Sequence, residues 1–124
     1  MRDYEYVTKD ATPITIHHLL TMTAGFPEDN PWGDRQLEDT DEEFLAFLKN
    51  GISFSSTPGQ QFEYSNLGYA ILGNIITRVS GIPYQQYITE NILQPLGMYN
   101  TYWEFSGINA QHLVLGYRWE DEQW

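Results

Sequence analysis

Apolar residues along the chain recur first with a helical period. Ile16, Leu19 and Leu20 share one face of a segment running from Ile16 to Thr23. Thr15 precedes it as a hydroxyl able to cap a helix, and Gly25 follows as a residue that accepts the left-handed conformation in which helices often end. The Pro, Gly, Asn and Asp content from Phe26 to Asp39 predicts a long loop. Thr40-Asp41-Glu42-Glu43 then has the form of a capping box, in which Thr40 accepts from the Glu43 backbone and the Glu43 carboxylate reaches back to the Thr40 amide. Phe44, Leu45, Phe47 and Leu48 supply the buried stripe of this second helix, and Gly51 its stop. A third helix begins after Ser65-Asn66 and runs from Leu67 to Ser80, with Leu67, Ile71, Ile75 and Val79 on one face. Leu72 and Ile76 widen that face, as in a core helix, and Gly81 terminates it. Pro83 suits the first turn of a fourth helix, which ends near Leu93 ahead of Pro95 and Gly97.

The last segment changes period. Leu113, Leu115, Tyr117 and Trp119 alternate with Val114, Gly116, Arg118 and Glu120, the pattern of a strand. Its pairing partner would have to follow Trp124, so the expectation is a chain that stops halfway through a hairpin.

A length of 124 residues is a prior for one domain with one modest core. No apolar run approaches the roughly 20 residues of a membrane span, and Met1-Arg2-Asp3-Tyr4-Glu5 does not open a signal peptide. Six basic against seventeen acidic residues give a formal charge of -11. Nucleic acids and anionic membranes are bound by cationic surfaces, so that balance argues against both as partners. The acids between Glu28 and Glu43 and from Glu120 to Glu122 read as solvated faces. Cysteine is absent, which excludes a disulfide scaffold, a thiol nucleophile and a thiolate metal site.

Common catalytic patterns are missing. There is no G-x-S-x-G elbow and no H-E-x-x-H. His17 and His18 are adjacent, which points them to different faces of a helix and gives them structural roles; His112 stands alone beside the strand, at the surface. Asp39, Asp41, Glu42 and Glu43 lack the glycine and spacing of a calcium loop. The expectation is no metal and no cofactor. Four tryptophans and nine tyrosines read as core-filling residues.

Two stretches carry a resemblance. One is Ile14-Thr15-Ile16-His17-His18-Leu19-Leu20-Thr21-Met22-Thr23-Ala24-Gly25, and the other is Pro58-Gly59-Gln60-Gln61-Phe62-Glu63-Tyr64-Ser65-Asn66 with Leu67-Gly68-Tyr69. They resemble the I-T-I-R-H-L-L-T-H-T-S-G and P-G-x-x-F-x-Y-S-N-x-G-Y segments of serine β-lactamase-like proteins: class C β-lactamases, penicillin-binding D,D-peptidases and related esterases. Met22 stands where His is usual in that family, and Ala24 where Ser is usual. The likeness continues through Gly81-Ile82-Pro83-Tyr84, Leu93-Gln94-Pro95-Leu96-Gly97-Met98 and Gly116-Tyr117-Arg118. It implies a mainly α chain with short β segments: the helical part of the family's α/β fold, truncated at both ends, with residues 1–124 forming a single incomplete domain.

The resemblance also implies a chemistry. The family's hydrolases form an acyl-enzyme on the Ser of S-x-x-K, assisted by Tyr-x-Asn and a later Lys-Thr-Gly-type triplet. In this chain Tyr64 matches the tyrosine, a proton-transfer group for the serine, and Asn66 the asparagine, a polar contact for substrate and lysine. A phenol titrates near about 10, so such a base needs cations nearby. Taken alone, the pair reads better as a core tyrosine and a helix cap than as a catalytic pair; the flanking pattern is what favours the family. No S-x-x-K occurs; Tyr6-Val7-Thr8-Lys9 has the spacing but not the serine, and Lys9 and Lys49 match neither lysine motif of the family. The function expected from the resemblance is therefore a piece of a hydrolase of β-lactams, D-Ala peptides or small esters, of the periplasm, cell envelope or outside. The alternative is a catalytically inactive helical binding module of the same ancestry. In either case apolar surface left uncovered would favour self-association.

Overall fold

Residues 12–28, 40–114 and 116 are described by the computed structural model of the protein. Helices carry all of the regular structure among them, with no strand. The segment Tyr6 to Lys9, most of the loop expected up to Asp39, and Leu115 with Tyr117 to Glu120 of the expected strand lie outside the described residues. Leu113, Val114 and Gly116, the remainder of that strand, have irregular backbone. The chain divides into two compact units, Met1–Tyr84 and Gln85–Trp124.

Helix α1 spans Ile16–Leu20. Thr15 caps it as anticipated, its hydroxyl accepting from the His18 N–H at 3.2 Å. The reciprocal half of the box comes from His18, whose Nδ1 accepts the Thr15 N–H at 3.3 Å. An imidazole replaces the usual Glu or Gln at this position. That bond requires the tautomer with its proton on Nε2.

The helix ends earlier than its periodicity suggests, at Leu20 rather than Thr23. Met22 adopts a left-handed φ of 54°, the Met22 N–H bonds the Leu19 carbonyl at 3.2 Å, and the Thr23 N–H bonds the His18 carbonyl at 2.8 Å. This is the Schellman arrangement, built on Met22 instead of glycine. Its short run also changes which residues are covered: Leu19 is buried, whereas Ile16 and Leu20 are more than half exposed. Only the Leu19 direction of the five-residue helix faces its neighbour.

Helix α2, Asp41–Lys49, has both halves of its capping box. The Thr40 N–H donates to Glu43 Oε2 at 2.9 Å and the Thr40 hydroxyl accepts from the Glu43 N–H at 3.3 Å. Phe44 and Leu48, one turn apart, are buried, and Phe47 packs beside them.

Helix α3 is the longest, Asn66–Ser80, and α1 packs against it. It closes at Gly81 with φ 78° and a Gly81 N–H to Thr77 carbonyl bond of 2.9 Å. Gly73, inside the helix, admits a neighbour: a Cβ there would lie 3.2 Å from the Tyr84 ring. Leu67 and Ile71 are buried as their spacing predicts, but Val79 at the far end is 83% exposed, because the packing does not extend to the last turn. The core of the first unit joins Leu19, Ala24, Phe26, Phe44, Leu48, Leu67 and Ile71. The Phe26 and Phe54 rings pack at 5.5 Å between centroids.

One loop closes this unit. Residues Met22 to Gly25 run alongside residues 55–63 and exchange main-chain bonds with them. Ser55 N–H donates to the Gly25 carbonyl at 2.9 Å, Gly59 N–H to Thr23 at 2.7 Å and Glu63 N–H to Met22 at 3.0 Å. At Gly25 (φ 81°) the approach is so close that a Cβ would sit 2.2 Å from the Ser56 carbonyl oxygen.

The second unit begins at Gln85, the second residue of helix α4, Tyr84–Ile88. Its path continues to Leu93 as expected, but as a π-helical turn, Thr89–Leu93, with Gln94 N–H bonding the Thr89 carbonyl at 3.0 Å. Gly97 (φ 72°) ends the run in a second Schellman arrangement, Met98 N–H to Leu93 and Gly97 N–H to Gln94. The Trp103 indole N–H donates to the Thr89 hydroxyl at 3.0 Å, which itself donates to the Gln85 carbonyl at 2.7 Å. Short 3₁₀ turns follow at Phe105–Gly107 and Ala110–His112, so His112 stands in a turn and is exposed.

Two consequences are measurable. Gly25→Ala meets backbone as well as an unfavourable φ and should cost more than about 3 kcal/mol. Gly51→Ala, also at positive φ but with open space around it, should cost roughly 1 kcal/mol; urea denaturation of the two variants gives the comparison. The second concerns acid. Hydrogen bonds from the Thr40 backbone and then its side chain hold the Glu43 carboxyl below its ordinary value. A lowered folded value means the contribution is complete above the unfolded carboxylate range and disappears as pH falls through the folded one. Thermal melts of the parent should therefore lose stability over that acidic window, and Glu43→Gln, which keeps the box without the charge, should flatten that part of the pH profile.

Candidate functional site

Tyr64 and Asn66 meet at the amino end of α3. The Tyr64 hydroxyl donates to Asn66 Oδ1 at 3.2 Å, and the Tyr64 ring is 43% exposed. Between them Ser65 points the other way and is 3% exposed. Its extended backbone, φ -141° and ψ 107°, turns the chain into the helix, and its hydroxyl accepts the Gly68 N–H at 3.0 Å.

The cap is thus Ser65, and Asn66 is the first helical residue. The reading of Asn66 as a helix cap is overturned by this one-residue difference. The consequence is chemical: an asparagine spent on capping would have its oxygen turned to the helix amides, whereas here that oxygen faces the Tyr64 phenol. Tyr64, likewise, is partly solvent-facing rather than a core tyrosine.

The surroundings are built from α1 and the loop. The Tyr69 hydroxyl, one helical turn into α3, donates to the Leu20 carbonyl at 3.2 Å. Gly68 lets the helix lie against α1, where a Cβ would come 3.8 Å from the Leu19 carbonyl. Immediately before Tyr64, Glu63 is held twice, by its main-chain bond to Met22 and by a 2.6 Å bond from the Ser55 hydroxyl to its Oε2. His18 is occupied in the α1 cap, and its Nε2 would be 3.3 Å from a Cβ at Gly59. Lys49, at the end of α2, is exposed, and no helix among the described residues is long and apolar enough to cross a membrane. Sequence reasoning missed Ser55, Glu63 and Met22 as members of this neighbourhood. Glu63 lies inside the quoted motif, but nothing in its spacing reveals a bond to a residue eight positions earlier.

A profile of the Beta-lactamase family matches residues 4–123, and the chain belongs to that family of serine-hydrolase and penicillin-binding proteins. Protein flp of Staphylococcus aureus (strain MW2) is 36% identical over 110 residues, covering 84% of this chain and 21% of that protein. D-alanyl-D-alanine-carboxypeptidase/endopeptidase AmpH of Escherichia coli (strain K12) is 32% identical over 115 residues, covering 90% of this chain and 30% of that one. Among solved structures, the octameric penicillin-binding protein homologue from Pyrococcus abyssi superposes with a TM-score of 0.67 at 32% identity, over 85% of this chain and 26% of its own. The penicillin binding protein from Bacillus halodurans gives 0.62 at 30% identity, over 89% and 35%. This chain accordingly spans between about a fifth and a third of the length of these relatives.

The division of labour at the helix mouth has a direct test. Ser65→Ala removes a buried cap and should destabilise the chain by about 1 to 2 kcal/mol. Asn66→Ala leaves that cap intact and should cost less than half as much in the same denaturation experiment.

Proposed function

We propose that this chain is the Tyr-x-Asn-bearing portion, a single incomplete domain, of a serine hydrolase that acts by acyl transfer on β-lactams, D-Ala peptides or small esters. The observation that carries the reading is the 3.2 Å contact between the Tyr64 hydroxyl and Asn66 Oδ1 at the mouth of α3. It sits within a family match that runs nearly the length of the chain. The similarity to AmpH, a D-alanyl-D-alanine-carboxypeptidase/endopeptidase, supports the same substrate class.

In this mechanism the serine comes from an S-x-x-K motif that these 124 residues do not contain. Its oxygen attacks the substrate carbonyl, and the proton it loses is taken up by Tyr64 as the phenolate, its own proton having first passed to solvent. The C–N or C–O bond of the substrate then breaks, and Tyr64 delivers that proton to the leaving nitrogen or oxygen. Water later hydrolyses the acyl-enzyme. The role asks for positive charge beside the phenol, to which the amino end of a 15-residue helix contributes. Asn66 accepts from the phenol through its oxygen whenever Tyr64 carries its proton, and its amide N–H groups are donors suited to substrate. Ile16 and Leu20, exposed on α1, form an apolar face suited to association with further protein.

Tyr64→Phe keeps the ring and removes the proton carrier. Joined to the nucleophile-bearing segments, that variant should lose at least about a hundredfold in turnover while its melting temperature stays within a degree or two of the parent. Unchanged turnover would remove the assignment. Acylation of the isolated 124-residue chain by penicillin or a fluorophosphonate, read by mass, would equally overturn a mechanism that takes its serine from elsewhere.

A further inference from the structure

The loop that delivers Tyr64 is closed by a side-chain clasp distant from α3's own cap. Ser55 and Glu63 bracket the loop, and the Ser55 hydroxyl donates to Glu63 Oε2 at 2.6 Å, the length of a charge-assisted bond. That hydroxyl also lies 3.3 Å from the Gly25 carbonyl. A serine has one proton to give, so the short contact takes it; the Gly25 carbonyl is already served by the Ser55 N–H at 2.9 Å. Glu63 is consequently fixed at two points, its carboxylate on Ser55 and its N–H on the Met22 carbonyl at 3.0 Å.

Met22 is itself a fixed anchor. Its left-handed φ of 54° is set by the Schellman closure of α1, so its carbonyl direction is not free to drift. Tyr64 follows one peptide later. Tyr64 is 43% exposed and its hydroxyl is held by the 3.2 Å contact to Asn66, so the placement of its Cα rests on the residues either side. Ser65 secures the helix side, and Glu63 the loop side.

We propose that Glu63, clasped by Ser55, is a positioning residue for Tyr64, setting the reach of the phenol rather than touching substrate. The inference rests on the assignment of Tyr64 as the proton-transfer group. A displacement of an ångström at such a group can cost up to about a hundredfold in rate.

The experiment measures kcat and KM per titrated active site, in the hydrolase that joins this chain to its serine, with nitrocefin and p-nitrophenyl acetate as probes. Glu63→Ala and Ser55→Ala should each lower kcat by about tenfold to a hundredfold with KM within about twofold. The double variant should be no worse than either single one, since both break the same bond. Glu63→Gln, whose amide oxygen still accepts from Ser55, should recover kcat to within about threefold of the parent. On the 124-residue chain, amide exchange at Glu63 should rise about tenfold in Glu63→Ala and remain near the parent rate in Glu63→Gln. Full kcat in Glu63→Ala, or a Glu63→Gln as impaired as Glu63→Ala, would overturn the proposal. Tyr64→Phe separates the two ideas. If Tyr64→Phe is inactive while Glu63→Ala is not, only the positioning role fails; if Tyr64→Phe turns over normally, the assignment beneath it fails.

Discussion

The first unit depends on the close approach of two irregular segments. Residues Met22 to Gly25 and 55–63 lie side by side through three main-chain hydrogen bonds, near enough at Gly25 that no side chain fits there. Backbone groups outside helices need partners too, and with no strand among the described residues these groups are satisfied by each other. The contact fastens the end of α1 to the approach of α3. Everything at the helix mouth inherits its position from that fastening.

From it follows the separation of tasks among three consecutive residues. Ser65 is buried and caps; Tyr64 and Asn66, on either side, are turned away from the core and toward each other. Because the cap is made by Ser65, the asparagine oxygen can face the phenol. This arrangement is what allows a site of the proposed kind to coexist with a well-terminated helix. A design in which Asn66 capped the helix would have had to choose between the two.

The same economy appears at α1. His18 serves as the acceptor of a capping box and lies against Gly59, the second residue of the 58–66 motif. Met22 occupies a conformation that glycine would adopt with less strain. Non-glycine residues in that region persist where surrounding structure holds them, and here the carbonyl of Met22 receives Glu63. Membership of the Beta-lactamase family gives this geometry a functional frame, while the chain spans no more than about a third of the relatives compared with it.

Much of this was legible in the residues themselves. The four helical segments, the caps at Thr15 and Thr40 and the stop at Gly81 follow from local chemistry: spacing of apolar positions, a hydroxyl ahead of a helix, a glycine after it; the Tyr64–Asn66 pair came from the family resemblance. Local rules reach only a few residues along the chain, and there they worked. They could not give the early end of α1 at Met22, the π-helical turn after Ile88, the exposure of Ile16, Leu20 and Val79, or the bond between Ser55 and Glu63. Each of these is decided by which distant segment arrives alongside. A left-handed methionine is tolerated when another strand of backbone claims its carbonyl, and an apolar face is buried only where a neighbour covers it. Sequence alone marked out the helices and, through the family resemblance, named the two residues of the proposed site; tertiary structure decided which of three neighbours would cap, which would face the other, and what holds them there.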